Sequence, residues 1–316
     1  MSGKKIIAVV GATGGQGGGL VRAILGDPDG GFAARALTRD PSSQKAKALA
    51  ELGAEVVRAD IDDEASVRAA FEGAYGAYCV TNFWEHFNAE KEVVQAANMA
   101  RAAQSAGLEH VIWSTFEDSR KWIPLDDDRM PTLQGKYKVA HFDGKSEADH
   151  YFTDLGVPTT FLLTSAYWEN FIFFGWGPQR GEDGVLAVTF PMGDKKLPSI
   201  GVEDIGKCAY GVFKAGDEFI GKTVGIAGEH LTGEEIAASL AKALGEPVRY
   251  NDVPADVYRG FGFPGADDIG NMFQFKRDCN DDYCGARSLE LSRRLDPQLQ
   301  SLDVWLSENV GRIPIN

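Results

Sequence analysis

Three groups of side chains in this sequence have the types and spacing to do chemistry. The first is "VVGATGGQGGGLVRAIL", in which Gly11, Gly14 and Gly17 recur at every third position and enclose Ala12, Thr13, Gly15 and Gln16. Glycine at the first position permits a tight turn, at the second it lets main chain approach a pyrophosphate, and at the third it lets a helix pack closely on a strand. An anion held there would sit on the N-terminus of the following helix, where free N–H groups and the helix dipole favour negative charge. The second group is "LTRDP", with Arg39 where a carboxylate would otherwise bind the ribose hydroxyls of an unphosphorylated dinucleotide. A guanidinium takes a phosphate through two parallel hydrogen bonds, so Arg39 points to NADP(H) rather than NAD(H), with the adjacent Asp40 as a complication. The third is "HFDGK", where His141 and Lys145 are separated by one helical turn and share a helix face. An imidazole titrates near neutrality and can exchange a proton, while an ammonium beside it favours the neutral ring.

The elements that must position these groups follow from apolar patterning. Short apolar runs predict strands over 5–10, 34–38, 54–60, 76–81, 109–115 and 158–164, and helical patterns separate them over 17–25, 43–52, 64–71, 90–106 and 140–155. Such alternation implies right-handed crossovers and an α/β fold, a Rossmann-type doubly wound parallel sheet buried on both faces. Ser114 and Thr115 end the fifth strand, where a hydroxyl would polarise a substrate carbonyl or simply satisfy strand-end backbone groups; the two residues and the two roles stay open. The polar stretch 117–136, with Pro124 and Pro131, predicts a surface loop near the ligand crevice. Beyond residue 164 the rhythm loosens. "VLAVTFPMG" is strand-like, and "LTGEEIAASLAKALG" predicts a helix with Thr232 and Glu235 as a capping box and Gly245 as its left-handed end. The expected division is a nucleotide-binding domain over 1–164 and a smaller α+β C-terminal region over 165–316, which partly shares the sheet and closes one wall of a cleft.

A chain of 316 residues, 44% hydrophobic and 25% charged, has the composition of a globular protein. No stretch approaches the ~20 apolar residues of a spanning helix, and the N-terminus runs into a strand without a signal-peptide core. A cytoplasmic protein with no membrane partner is expected. The net charge of −14 opposes approach to nucleic-acid backbones. Cys79, Cys208, Cys279 and Cys284 lack zinc-like spacing, so free thiols and no metal are expected. No nucleophile elbow, Walker loop or haem motif competes with the dinucleotide reading.

These residues, with "DIDD" at Asp60 to Asp63, "VTNFWE" at Val80 to Glu85, "AHFDGK" at Ala140 to Lys145 and "YWENF" at Tyr167 to Phe171, resemble the NmrA-like family of atypical short-chain dehydrogenases, and within it the redox-sensing members. The resemblance covers nearly the whole chain, including "GFPGADDIGNMFQF" from Gly262 to Phe275. It implies that Gly11 to Gln16 hold a pyrophosphate and that Arg39 meets the adenosine 2′-phosphate. It also implies that Asp60 and Ile61 border the adenine and that Thr81, Asn82 and Phe83 line the path to the nicotinamide. Lys145 would bind the nicotinamide ribose, and Tyr167, Trp168, Glu169 and Asn170 would close over the ring. On residue type alone, Asp60 could cap a turn, Thr81 and Asn82 could satisfy strand-end amides, and Tyr167 and Trp168 could be core aromatics. Two departures stand out: the loop before "HFDGK" is longer than in the redox-sensing members, and Ser42 and Ser43 stand where those members carry further basic residues.

Ordinary short-chain reductases use Tyr-x-x-x-Lys, in which lysine fixes the ribose and lowers the tyrosine pKa, so that the phenol exchanges a proton as hydride moves. Here the spacing survives and the phenol does not. Three readings are open: His141 donates the proton, Tyr137 reaches in from one turn earlier, or the site binds cofactor without a proton relay. The resemblance implies a sensor whose NADP(H) occupancy changes its association with protein partners. The rival is an NADPH-dependent reductase of a small quinone, enone, imine or aromatic carbonyl, with Phe83, Trp84, Trp113, Tyr167 and Trp168 as candidates for a flat apolar cleft. A homodimer is compatible with both.

Overall fold

The computed structural model describes residues 3–315. In its first half, strands β1 (Lys5–Val9), β2 (Phe32–Thr38), β3 (Glu55–Arg58), β4 (Gly76–Cys79), β5 (His110–Thr115) and β6 (Thr159–Leu163) alternate with helices α1 (Gly15–Leu25), α2 (Gln44–Glu51), α3 (Glu64–Phe71), α4 (Ala89–Ala106) and α5 (Ala140–Asp154). The second half is made of shorter pieces: β7 (Ala166–Tyr167), α6 (Asn170–Phe173), β8 (Gln179–Arg180), β9 (Leu186–Thr189), β10 (Leu197–Ile200), α7 (Val202–Lys214), β11 (Thr223–Gly225) and β12 (Glu229–Leu231). It ends with α8 (Gly233–Leu244), β13 (Val248–Asn251), α9 (Ala255–Arg259), α10 (Ala266–Asp278), α11 (Asn280–Gly285), α12 (Leu289–Leu295) and α13 (Leu302–Asn309).

The main sheet has the order β11-β6-β5-β4-β1-β2-β3 with every pairing parallel. The chain winds outward from β1 to β3 in one direction, then from β4 to β11 in the other, which makes the β1/β4 junction the topological switch point. Both the glycine corner after β1 and the segment after β4 leave the sheet there. The seventh strand, β11, comes from the second half of the chain, whose other strands form two small sheets, β12-β10-β7 and β13-β9-β8.

Local sequence sets the helix boundaries. Ser43 caps α2 by accepting from the Ala46 N–H, Asn88 caps α4 from Lys91, and Thr232 with Glu235 forms the expected capping box of α8, which ends at a left-handed Gly245. The sheet is buried on both faces. One side packs Ile7, Val9, Leu20 and Ile24 against Ile205, Val212 and Phe213 of α7; the other packs Val67, Phe71, Met99, Trp113 and Phe152. A third cluster, including Phe142, Phe190, Phe273, Phe275 and Trp305, joins the second half of the chain to the start of α5.

Helices α1 and α7 cross through glycine. A Cβ on Gly206 would stand 2.1 Å from the Leu20 nitrogen and 2.2 Å from the Gly19 carbonyl carbon, so backbone occupies the space a side chain would need. This contact seats α1 and its N-terminus against the sheet edge of the crevice.

The stretch before α5, expected as a surface loop, is pinned from within. Ile123 and Met130 are buried, and the buried Lys138 ammonium donates to the Asp127 and Met130 carbonyls at 2.9 and 2.7 Å. The buried Arg287 guanidinium forks onto Glu117 at 2.5 and 3.0 Å and donates to the Thr164 carbonyl at 2.8 Å. Most of 117–136 is exposed or half-buried, as expected of a surface loop, and the ties that pin it come from Lys138 and Arg287 outside the stretch.

Gly206→Ala is expected to lower stability by about 2 kcal/mol in urea unfolding, because the added methyl must displace main chain. Gly285→Ala, where a Cβ meets nothing within 4 Å, is expected to stay within about 1 kcal/mol of the parent.

Candidate functional site

The glycine corner has the geometry its spacing predicts. Gly11 sits at φ +66°, the Gly14 N–H donates to the Gly11 carbonyl at 2.9 Å, and a Cβ on Gly17 would lie 2.6 Å from that same oxygen. Helix α1 begins at Gly14 without any side-chain cap, so its first-turn N–H groups are free to meet an anion. Gln16 points onward from this corner and joins three strands. Its Nε2 donates to the Tyr167 hydroxyl at 2.6 Å, and its Oε1 accepts from Ser114 Oγ at 2.9 Å and from the Tyr78 hydroxyl. Burial raises the Tyr78 and Tyr167 pKa values, so both phenols stay neutral and neither supplies a phenolate. Ser114 therefore faces the site side of β5, whereas Thr115 donates to Asp149 at 2.8 Å.

At the other end of the crevice Arg39 is exposed, and its two terminal nitrogens fork onto Glu85, the second at 3.2 Å. That bond is the main reason its pKa is raised, with Asp60 and Asp62 adding to it. Asp40 is occupied locally, accepting from the Ser42 N–H at 2.9 Å and the Ser42 hydroxyl at 2.5 Å. Asp60 accepts from the Asp62 N–H at 3.0 Å, and the Ile61 carbonyl accepts from Asn98 at 2.9 Å.

Beside Gln16, and not reaching Arg39, lies a cavity of about 280 Å³. Its polar lining includes Gln16, Thr81, Asn82, His141, Lys145, Tyr167 and Asn170; its walls are aromatic, with Phe83, Trp84, Phe116, Phe142 and Trp176, and α10 contributes Ile269, Met272 and Lys276. Residues of "HFDGK" are all accounted for here. His141 pairs through Nδ1 with the buried Asp268 carboxylate, which also accepts from the Ala140 N–H at 2.5 Å. A carboxylate only accepts, so Nδ1 carries the hydrogen, and Nε2 has no protein partner among the described residues. Phe142 stacks on Phe116 at 4.0 Å and 5°. Asp143 accepts from the Ser119 N–H and hydroxyl at 2.8 and 2.6 Å and from the Lys138 and Val139 N–H groups at 2.8 and 3.1 Å. A Cβ on Gly144 would lie 2.9 Å from that of Ala89, which sets how closely α5 approaches α4.

Lys145 donates to the Thr81 carbonyl at 3.1 Å and hydroxyl at 2.5 Å, and lies 3.1 Å from the buried Glu92 carboxylate. Its three hydrogens are engaged, so a ribose hydroxyl would have to exchange with one of these acceptors.

Several expected residues lie elsewhere. Trp168 is buried with its Nε1 donating to Ser199 at 2.9 Å, and Glu169 accepts from the Val202 N–H at 2.9 Å and Trp305 Nε1 at 3.0 Å; neither lines the cavity. Trp113 stacks on Phe152 and donates to Asp149 at 2.8 Å. Tyr137 precedes α5 and packs against Phe83 and Ala140, away from the cavity lining. Conversely, Asp268, Glu92, Tyr78, Glu85 and Lys276 went unassigned by residue-level reasoning. Only Asp268 left a signal, an acidic pair in the first turn of α10.

A family model described as the NmrA-like family matches residues 3–305. An NmrA-like family domain-containing oxidoreductase of Malbranchea aurantiaca is 30% identical over 271 residues, covering 81% of this chain and 79% of that protein. Among solved structures, NmrA, a negative transcriptional regulator, in complex with NADP is 23% identical with a TM-score of 0.78, covering 96% of this chain and 95% of that one. The triphenylmethane reductase of Citrobacter sp. complexed with NADP(H) is 20% identical with a TM-score of 0.74, covering 96% and 99%. These two likenesses establish the doubly wound fold. The family match runs from the glycine corner through the α10 wall of the cavity, and on that extent this chain belongs to the NmrA-like family.

Proposed function

We propose that the protein is an NADPH-dependent reductase of a flat apolar acceptor, with the His141–Asp268 pair as its proton source. The observation that carries this reading is an aromatic cavity next to the glycine corner, lined by an imidazole whose other nitrogen is held by a buried carboxylate. The cofactor assignment rests on fit. Backbone fills the space behind Gly17, α1 starts uncapped, and Arg39 stands at the end of β2 where an additional phosphate would lie. The Malbranchea relative is an oxidoreductase, and NmrA and the triphenylmethane reductase were solved with NADP and NADP(H). When bound, NADPH supplies a hydride.

The remaining work belongs to the chain. Gln16, fixed by Tyr78, Ser114 and Tyr167, offers amide groups between the diphosphate corner and the cavity. Lys145, held in place by Glu92 and Thr81, stands where the nicotinamide ribose would lie. The aromatic walls exclude water, which strengthens the polar contacts of both. Asp268 fixes the imidazole tautomer and orientation, and the protonated ring gives its Nε2 proton to the oxygen or nitrogen where negative charge develops. Solvent reprotonates the ring after product leaves.

A second reading, a sensor acting through partner proteins, is favoured by one feature. Arg39 is already paired with Glu85, on the segment leading to the exposed Phe87. A 2′-phosphate taking Arg39 would release Glu85 and free that segment to change its surface, which is how a ligand with differential affinity shifts a conformational balance. NADPH at saturation is then expected to alter protease sensitivity within 83–88; an unchanged digestion pattern and oligomeric state eliminate the sensor reading.

NADPH oxidation followed at its near-ultraviolet band against quinones, enones, imines and aromatic carbonyls is expected to be saturable for one of these classes. His141→Asn and Asp268→Asn should each lower kcat by about 10²- to 10⁴-fold while NADPH binding is retained. No turnover with any class ends the reductase reading. In calorimetry, Arg39→Ala is expected to weaken NADPH by about 10- to 100-fold and leave NADH unchanged. Glu85→Gln, which removes the competing carboxylate, should tighten NADPH.

A further inference from the structure

The α10 wall presents Ile269, Met272 and Lys276 at spacings of three and four residues, so they line one helix face. Lys276 is out of place among them. It is only 2% exposed, it lines the cavity, and its Nζ has no hydrogen-bond or ion-pair partner among the described residues. The rings of Phe142 and Tyr283 lie 5.6 and 5.2 Å from it. The carboxylate that could serve it, Glu117, is already forked by Arg287, whose own positive charge opposes that of Lys276. Buried charges are ordinarily paired, and the other cation lining the cavity among the described residues, Lys145, obeys that rule through Glu92.

We propose that Lys276 recognises a carboxylate on the acceptor, so that the cavity takes a flat apolar acid whose own charge supplies the missing counter-ion. This rests on the preceding reading only in treating the cavity as the acceptor site. Asp268 and Lys276 are eight residues apart on α10, about 12 Å of helix rise, so the proton-donating pair and the amine address opposite ends of a bound molecule. An acid of two fused or conjugated rings, with its reducible bond distant from the carboxylate, matches that arrangement.

Burial, with Arg287 adding to it and Glu117 opposing it, lowers the Lys276 pKa to about 7 when the cavity holds no anion. The other ionisable groups facing it are the Tyr283 phenol, which burial keeps neutral, and across the cavity Lys145 and the His141–Asp268 pair. An incoming carboxylate favours the ammonium and raises that value. Carboxylate affinity should therefore be flat below about pH 7 and fall as pH rises above it, with a proton taken up on binding in the upper range.

The test uses the full chain in the presence of NADP⁺, with 2-naphthoate and its neutral counterpart 2-naphthamide as calorimetric probes. The parent protein is expected to bind naphthoate at least about tenfold tighter than the amide at pH 7. At pH 8.5 it should take up about one proton per naphthoate, read from heats in two buffers of different ionisation enthalpy. Lys276→Met, which preserves length and apolar volume, should abolish both the preference and the proton uptake and leave amide affinity unchanged. Failure of naphthoate to bind, equal affinities, absence of proton uptake by the parent, or a preference that survives in Lys276→Met each overturns the proposal. The parent's proton uptake stands as evidence even if the variant folds poorly. None of these readouts depends on turnover, so a failed acceptor panel and a failed carboxylate test remain distinguishable.

Discussion

Burying charge at the start of α5 is the constraint around which the site is arranged. Three carboxylates, Asp143, Asp268 and Glu92, are almost completely removed from solvent there. A carboxylate in such a place is tolerable only when its oxygens meet donors, and removal of a partner from a buried pair costs about 3–5 kcal/mol. Each therefore dictates geometry. Asp143 gathers four donors from Ser119, Lys138 and Val139 and closes the segment between β5 and α5 onto the helix. Asp268 binds the Ala140 N–H and the His141 ring, which ties α10 to the first turn of α5. Glu92 holds Lys145 against Thr81 and links α4, α5 and the end of β4. Histidine at the position where a tyrosine is ordinary is thus part of a connected arrangement: a phenol has no second polar atom with which to serve a carboxylate from α10.

Sheet topology brings the nucleotide corner to this charged knot. The reversal between β1 and β4 makes both strands end at one crevice, so Gln16 can reach partners on β4, β5 and β7 that lie far apart in sequence. The same hydrogen bonds require α1 to sit close to the sheet. Gly17 allows that on the strand side, and Gly19 with Gly206 allows it on the α7 side. Glycine in the first half of α1 therefore has two purposes, anion access and helix–helix contact, and the triplet spacing reveals only the first.

Legibility in the sequence followed the range of the interaction. The six strands and five helices of the first half were readable because burial on both faces imposes runs and periods that repeat locally. The glycine corner was readable because its three roles fall within seven residues. In the second half, strands of two to four residues, such as Ala166–Tyr167 and Gln179–Arg180, are too short to show a period, and the seventh strand β11 is only three residues long. Site residues divided in the same way. Gln16, Lys145 and His141 lie in patterned local stretches, whereas Asp268 meets His141 across 127 residues and Arg287 meets Glu117 across 170. Such pairs have no spacing to read. The aromatic assignments failed at Trp113 and Trp168 because an aromatic in a doubly wound fold faces core as readily as cleft, and only the strand register decides which.

Three cations border the path a cofactor and its acceptor would share, and their environments differ in kind. Arg39 is exposed and paired with a surface carboxylate, an arrangement worth little in water and easily exchanged for a better anion. Lys145 is buried and paired with a buried carboxylate, so separating it from Glu92 is costly and its position is fixed. Lys276 is buried and unpaired, so its charge state is set by whatever enters the cavity. The sequence of environments matches the order of events such a site needs. Under the proposed function, the exchangeable pair would admit the phosphate, the permanent one would orient the cofactor, and the unpaired amine would take its counter-ion from the acceptor. A chain that needed these lysines only for packing would have no reason to leave one uncompensated in an aromatic wall while supplying a carboxylate to the other, since an apolar side chain of the same length would fill that space without the desolvation cost.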